Sequence, residues 1–146
     1  MKPCFKTFFL FVWMLIFTIP LILAVEETAG PGRTFFEEGV SLLQQGQRSE
    51  AKDQLLKALE LEPGNADYHF ELANVYAAQF DILADSLKAR EALELAAHEL
   101  EQAVMLRPDF LAAHYNVAIL YKRQGKFEQA RQALQKVLSL DPKKVN

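Results

Sequence analysis

One cysteine, Cys4, stands in a chain of 146 residues. That scarcity excludes a disulfide framework and any multi-thiolate metal site. Glycine and proline are sparse, six of each, which excludes collagen-like and low-complexity chains. No Gly-rich phosphate loop and no GxSxG nucleophile elbow occurs. There are three histidines. The one approach to a zinc-protease helix is His98-Glu99-Leu100-Glu101-Gln102, where Gln102 stands in the place of the second imidazole. The ligand pair is therefore missing. An excess of one charge is missing too: 16 basic residues face 19 acidic ones, a net −3. A generic basic surface for nucleic acid is not expected. These absences leave no catalytic constellation, no cofactor and no metal site, so the expectation is a non-enzyme. What is present, 51% hydrophobic and 24% charged residues, suits one globular domain.

The average hides two unlike parts. Residues 1–25 hold Lys2 and Lys6 and no acid, leaving 14 basic against 19 acidic residues in the remainder. Thr7 to Val25 runs for 19 residues without a charge. As a helix rising about 1.5 Å per residue it would reach about 28 Å, near the thickness of a bilayer's hydrocarbon core. Residues 1–25 are read as an uncleaved membrane anchor or a cleaved signal peptide. The run is longer than the usual apolar region of a signal peptide, and Ile22 spoils the small-residue pattern before a cut after Ala24. Either way, Lys2 and Lys6 keep the N-terminus cytoplasmic and the remainder is delivered to the far side. Cys4 reads as an ordinary thiol, with acylation the alternative. Residues 26–32, with Gly30-Pro31-Gly32, read as a linker.

The rest repeats. Pro63, Pro108 and Pro142 close similar segments, KALELEP, QAVMLRP and KVLSLDP. Pro108 to Pro142 is 34 residues, and Gly39 to Ala73 and Leu42 to Tyr76 are also 34. Tyr76 to Tyr121 and Ala51 to Ala96 are 45, so eleven extra residues lie between Tyr76 and Ala96. Each unit reads as two helices. In the third, His114, Val117, Ala118 and Tyr121 share one face; Gly125 breaks the pattern; Phe127, Ala130, Leu134, Val137 and Leu138 share the next. Gly46 and Gly125 suit helix stops, where positive φ is needed. Ser49, Asn65 and Asp109 are candidate N-caps. Gly39, Ala73 and Ala118 would face Ala51, Ala96 and Ala130, letting each helix pair approach closely.

These residues resemble the tetratricopeptide repeat, W-x2-L-G-x2-Y, then A-x3-F, A and P. The third unit matches through His114 to Tyr121, Ala130, Leu134, Val137 and Pro142. The second matches through Leu72, Ala73, Tyr76, Ala96, Leu100, Ala103 and Pro108, and the first through Gly39, Leu42, Ala51, Leu55, Ala58 and Pro63. The resemblance implies an all-α fold: a right-handed α-solenoid of three helical hairpins, after the N-terminal hydrophobic helix. The domain spans 33–142, with units of about 33–65, 66–108 and 109–142, and a 143–146 tail. The insertion predicts helices over 66–82 and 86–106, a turn near 83–86 capped by Asp85 or Ser86, and a projecting 81–88 tip carrying Ile82, Leu83 and Leu87.

In such repeats the first helices of successive hairpins line a concave groove. Carried over place by place, the groove holds Arg33, Phe36, Glu37 and Val40; then Asp67, Phe70, Glu71, Asn74 and Ala78; then Tyr115, Asn116, Ile119, Lys122 and Arg123. Three aromatics beside two amides suit an extended or helical peptide with apolar anchors. The competing expectation is that Phe36, Phe70 and Tyr115 simply pack on each other. Members that clamp a chaperone's C-terminal carboxylate use Lys, Asn and Arg at places that here carry Phe36, Val40, Glu71, Ala112 and Asn116, so no such clamp is implied. The expected function is protein–protein interaction within a membrane or envelope assembly, on the extracytoplasmic side. One alternative is a scaffold that self-associates through an uncapped last hairpin, with Phe127, Leu134, Val137 and Leu138 partly exposed. Another is an accessory protein that binds a small ligand.

Overall fold

The computed structural model describes residues 30–83 and 87–141, with side chains up to Phe80 in the first stretch. The expected anchor or signal segment, the caps Asp85 and Ser86, Pro142 and the tail lie outside the described residues, as do the side chains of Ile82 and Leu83. Among the described residues there are six helices and no strand. They are α1 (Arg33–Gln44), α2 (Arg48–Leu61), α3 (Ala66–Leu83), α4 (Leu87–Leu106), α5 (Leu111–Arg123) and α6 (Phe127–Leu140). Among these residues no helix is long and apolar enough to cross a membrane. Each helix packs on the next, and α1 also touches α3, which makes a solenoid of three hairpins.

Local chemistry sets the helix ends. Gly46 and Gly125 take φ of +78° and +73°, where a Cβ would crowd the carbonyl. Each closes its helix in a Schellman turn: Gln47 N–H donates to Leu42 O at 2.9 Å, and Lys126 N–H to Tyr121 O at 2.8 Å. The cap expectations divide. Asn65 does cap α3, its Oδ1 accepting from Asp67 N–H at 3.0 Å. Ser49 does not cap α2, because that helix starts one residue before it, after Gln47. Asp109 does not cap α5, because Phe110 takes the boundary position without a side-chain cap. Phe110 is drawn inward by its packing, and the cap position moves with it.

The core forms where the hairpins face each other. Gly39, Ala51, Ala73, Ala96, Ala118 and Ala130 are all buried. A Cβ on Gly39 would lie 2.9 Å from Leu55 Cγ and 3.3 Å from Ala51 O, so α1 and α2 are closer than any side chain at that place permits. Leu55, Leu72, Val75 and Leu100 are the largest fully buried side chains. Each Leu buried there is worth roughly 1.5–3 kcal/mol relative to exposure. In the last hairpin Val137 is buried, contrary to expectation, because it turns toward α5 rather than outward. Leu134 and Leu138 are exposed as expected, and Phe127 is 68% exposed.

The insertion lengthens both helices of the second hairpin. With 18 residues α3 is five longer than the 13-residue α5, and α4 at 20 is six longer than the 14-residue α6. Those five and six residues account for all eleven. Leu87, the first residue of α4, is 85% exposed.

Candidate interaction groove

The partners of the expected groove residues sort them into roles. Phe36 stacks on buried Tyr68, ring centroids 4.7 Å apart. Phe70 packs on Phe110 at 4.9 Å. Both are half-buried and hold successive hairpins together. The three aromatics thus do not form one cluster of their own. Tyr115 differs: it is 50% exposed.

Between these rings lies a polar ladder. Asn116 Nδ2 donates to Asn74 Oδ1 at 3.1 Å, and Asn74 Nδ2 donates to Glu71 Oε2 at 3.3 Å. Each amide has two donor hydrogens and two lone pairs, more than the ladder uses. The remaining capacity suits the N–H and C=O groups of an extended chain. Beside the ladder is a small cavity of about 180 Å³, lined by Ala73, Asn74, Ala77, Asn116, Ile119 and Arg123 among others. Ala73 and Ala77 make the room, since larger residues there would fill it. Val40 is half-buried on α1, and Lys122 is exposed at the far end of α5.

Ion pairs edge the groove. Arg33 Nε donates to Glu37 Oε1 at 2.7 Å on the open surface, an i,i+4 pair that raises the guanidinium pKa. Arg107 grips both carboxylate oxygens of Asp67, with one bond at 3.0 Å, and that hydrogen bonding raises its pKa. Its guanidinium also lies 4.4 Å from the Phe110 ring. Arg107 and Phe110 were not singled out by sequence, because they sit in a turn with no helical period. The Arg-Pro-Asp-Phe turn was their only signal. Tyr68 was likewise unassigned; burial, then the Glu62 carboxylate, pushes its phenol up.

Two of the three histidines serve the frame. His69 and His114 each donate Nε2–H to the carbonyl six residues back, of Pro63 and Pro108, at 3.0 Å. His69 Nδ1 also meets Glu99 Oε2 at 2.6 Å, tying α3 to α4. Among the described residues no group of three or more His, Cys, Asp or Glu is placed to hold a metal ion.

Two family models match this geometry: the tetratricopeptide repeat over residues 111–144 and a TPR repeat over 39–79. The chain carries tetratricopeptide repeats. Among curated proteins it is 27% identical over 107 residues to the antiviral innate immune response effector IFIT1 of Macaca fascicularis. That match takes in 66% of this chain and 22% of IFIT1, so the chain spans about a fifth of the relative's length. Among solved structures, the first TPR of Spaghetti (RPAP3) bound to the HSP90 peptide SRMEEVD superposes with a TM-score of 0.66 at 21% identity. It covers 77% of this chain and 80% of that one. The human IFIT1 dimer with PPP-AAAA gives a TM-score of 0.70 at 27% identity, over 77% of this chain and 26% of that one. The MamA protein gives 0.65 at 20% identity, covering 80% and 58%. At 20 and 21% identity, the RPAP3 and MamA likenesses concern the fold alone.

Proposed function

We propose that this chain is a non-catalytic interaction module that holds a peptide or helix of a protein partner in the groove of α1, α3 and α5. The observation that carries this reading is the Asn116–Asn74–Glu71 ladder beside half-exposed Tyr115. Amides with unspent valence take a peptide backbone, and an exposed aromatic takes an apolar anchor. The RPAP3 domain of the same fold holds a peptide. The module works on the extracytoplasmic side of a membrane, in an envelope or membrane assembly. What supports that location is the uncharged Thr7–Val25 run behind Lys2 and Lys6.

Photo-crosslinking in the native host tests the groove, with the crosslinker replacing Asn74 and a control replacing exposed Gln135 on α6. A discrete protein trapped from Asn74 alone is the expected result. Capture from Gln135 alone, or of only the chain itself at both sites, overturns it. A second reading, self-association, is favoured by the exposed stripe of Phe127, Leu134 and Leu138 on α6. A solution mass that stays monomeric across concentrations overturns that reading.

A further inference from the structure

Resting on the groove reading, we propose that the foot of the second hairpin's extension is a separate subsite for an acidic side chain of the bound peptide. The extension is what builds it. The added residues carry α3 and α4 about 8 Å past the turn between α5 and α6, at roughly 1.5 Å per residue. The resulting step forms an open cleft of about 620 Å³. Phe80 and Leu93 make its apolar wall, and Arg90, Arg123 and Lys126 bring three cations to it. Glu94 is the one acid among its described lining residues. Arg123 is already engaged, its guanidinium 5.3 Å from the Phe80 ring. Arg90 and Lys126 are both exposed, and neither forms an ion pair with a described residue; the Lys126 ammonium lies 5.7 Å from the Tyr121 ring. Arg90 is the cation best placed to take a carboxylate, with Lys126 lining the same cavity.

A further observation places a peptide there. Arg123 lines both this cavity and the smaller one beside the amide ladder, so the two are neighbours along one path. A peptide lying on Asn74 and Asn116 runs onto the step without leaving the surface. A single carboxylate beside an apolar side chain fits the wall and the two cations. A phosphate backbone does not, because its repeated charge meets Glu71 in the groove and Glu94 on the step. The subsite is also distinct from a C-terminal carboxylate clamp, whose places here hold Phe36, Val40, Glu71, Ala112 and Asn116.

The test selects from random 12-residue peptides displayed on phage against the full chain in detergent micelles. Selected peptides are expected to carry Asp or Glu within three residues of an apolar side chain. Changing that acid to its amide is expected to weaken binding about tenfold, as for a close charge pair. In the Arg90→Glu/Lys126→Glu variant the same change is expected to alter binding less than twofold. Asn74→Ala/Asn116→Ala is expected to weaken acid and amide peptides alike. An acid-to-amide change without effect, or with the same effect in the charge-reversed variant, overturns the subsite while leaving the groove standing. Binding of the acid peptide that loss of both asparagines leaves undiminished overturns the groove reading instead. PPP-AAAA RNA is the second probe: binding that the charge-reversed variant loses and the peptides fail to displace overturns a peptide occupant. The exposed Arg90→Gln variant, whose thermal melt is expected to match the parent, repeats the measurement without reversing charge.

Discussion

At the scale of single residues, the chain relies on places that admit one side chain for steric or electrostatic reasons. Gly39 is one. Alanine there gains helix propensity, but its Cβ meets Leu55 Cγ at 2.9 Å inside a filled core. Overpacking outweighs the propensity gain, so Gly39→Ala is expected to cost about 1–2 kcal/mol, read by urea unfolding. Tyr121 is another. Burial, then its hydrogen bond to Glu101 at 2.6 Å, pushes its phenol from 10.0 up to about 12. The neutral form is the one the fold holds, so this contribution is fully present below pH 10 and falls away as pH rises through about 12. Absorbance at 295 nm should show this tyrosine ionising above the ordinary 10.0, at about 12. In Tyr121→Phe the loss of stability between those two pH values should be shallower.

At the scale of elements, the second hairpin is longer than its neighbours without being out of register. Helices lengthen by whole residues at their free ends, so the faces that contact the adjacent hairpins keep their positions. Replacing residues 79–92 by the Gln-Gly-Lys turn of the third hairpin restores the 34-residue period. This variant should keep its helical circular dichroism per residue. Its melting temperature should fall by several degrees, because buried Ala89 and Ala92 and the packing of Phe80 go with the tip. Complete unfolding would show that the long hairpin carries the fold rather than decorates it. The caps belong to the same scale. Asn65 is legible as a cap because nothing else competes for the start of α3. Ser49 and Asp109 were misleading: α2 already begins at Arg48, directly after the Gly46 turn, and Phe110, packed against the core, takes the position before Leu111.

At the scale of the whole molecule, stability is a chain of neighbour contacts. The middle hairpin is buried from both sides: Leu72 and Val75 pack toward α1 and α2, and Leu93, Ala97 and Leu100 toward α5. Among the described residues the last hairpin has one neighbour and an exposed outer stripe on α6. Hydrogen exchange is therefore expected to be slowest in α3 and α4 and faster in α6 by at least tenfold, as end repeats open first. Uniform protection across all six helices would mean one cooperative block. A slower α6 than α4 would mean that its outer stripe is covered, which favours self-association.

What the sequence determined by itself is what local periodicity encodes. The 34- and 45-residue spacings predicted three hairpins. The patterns predicted helices over 66–82 and 86–106, and the structure has Ala66–Leu83 and Leu87–Leu106. The small residues at Gly39, Ala73 and Ala118 announced close helix approach, and glycine marked the positive-φ stops. All of these are patterns and spacings that can be read along the chain. The tertiary structure decided what depends on distant partners. Asp67 meets Arg107 across 40 residues, Asn74 meets Asn116 across 42, and His69 meets Glu99 across 30. Such pairs follow from where hairpins dock, which no local period records. The same docking drew Phe36 and Phe70 partly out of the groove, left Tyr115 exposed, and opened a cation-lined step beneath the extension that no motif announces.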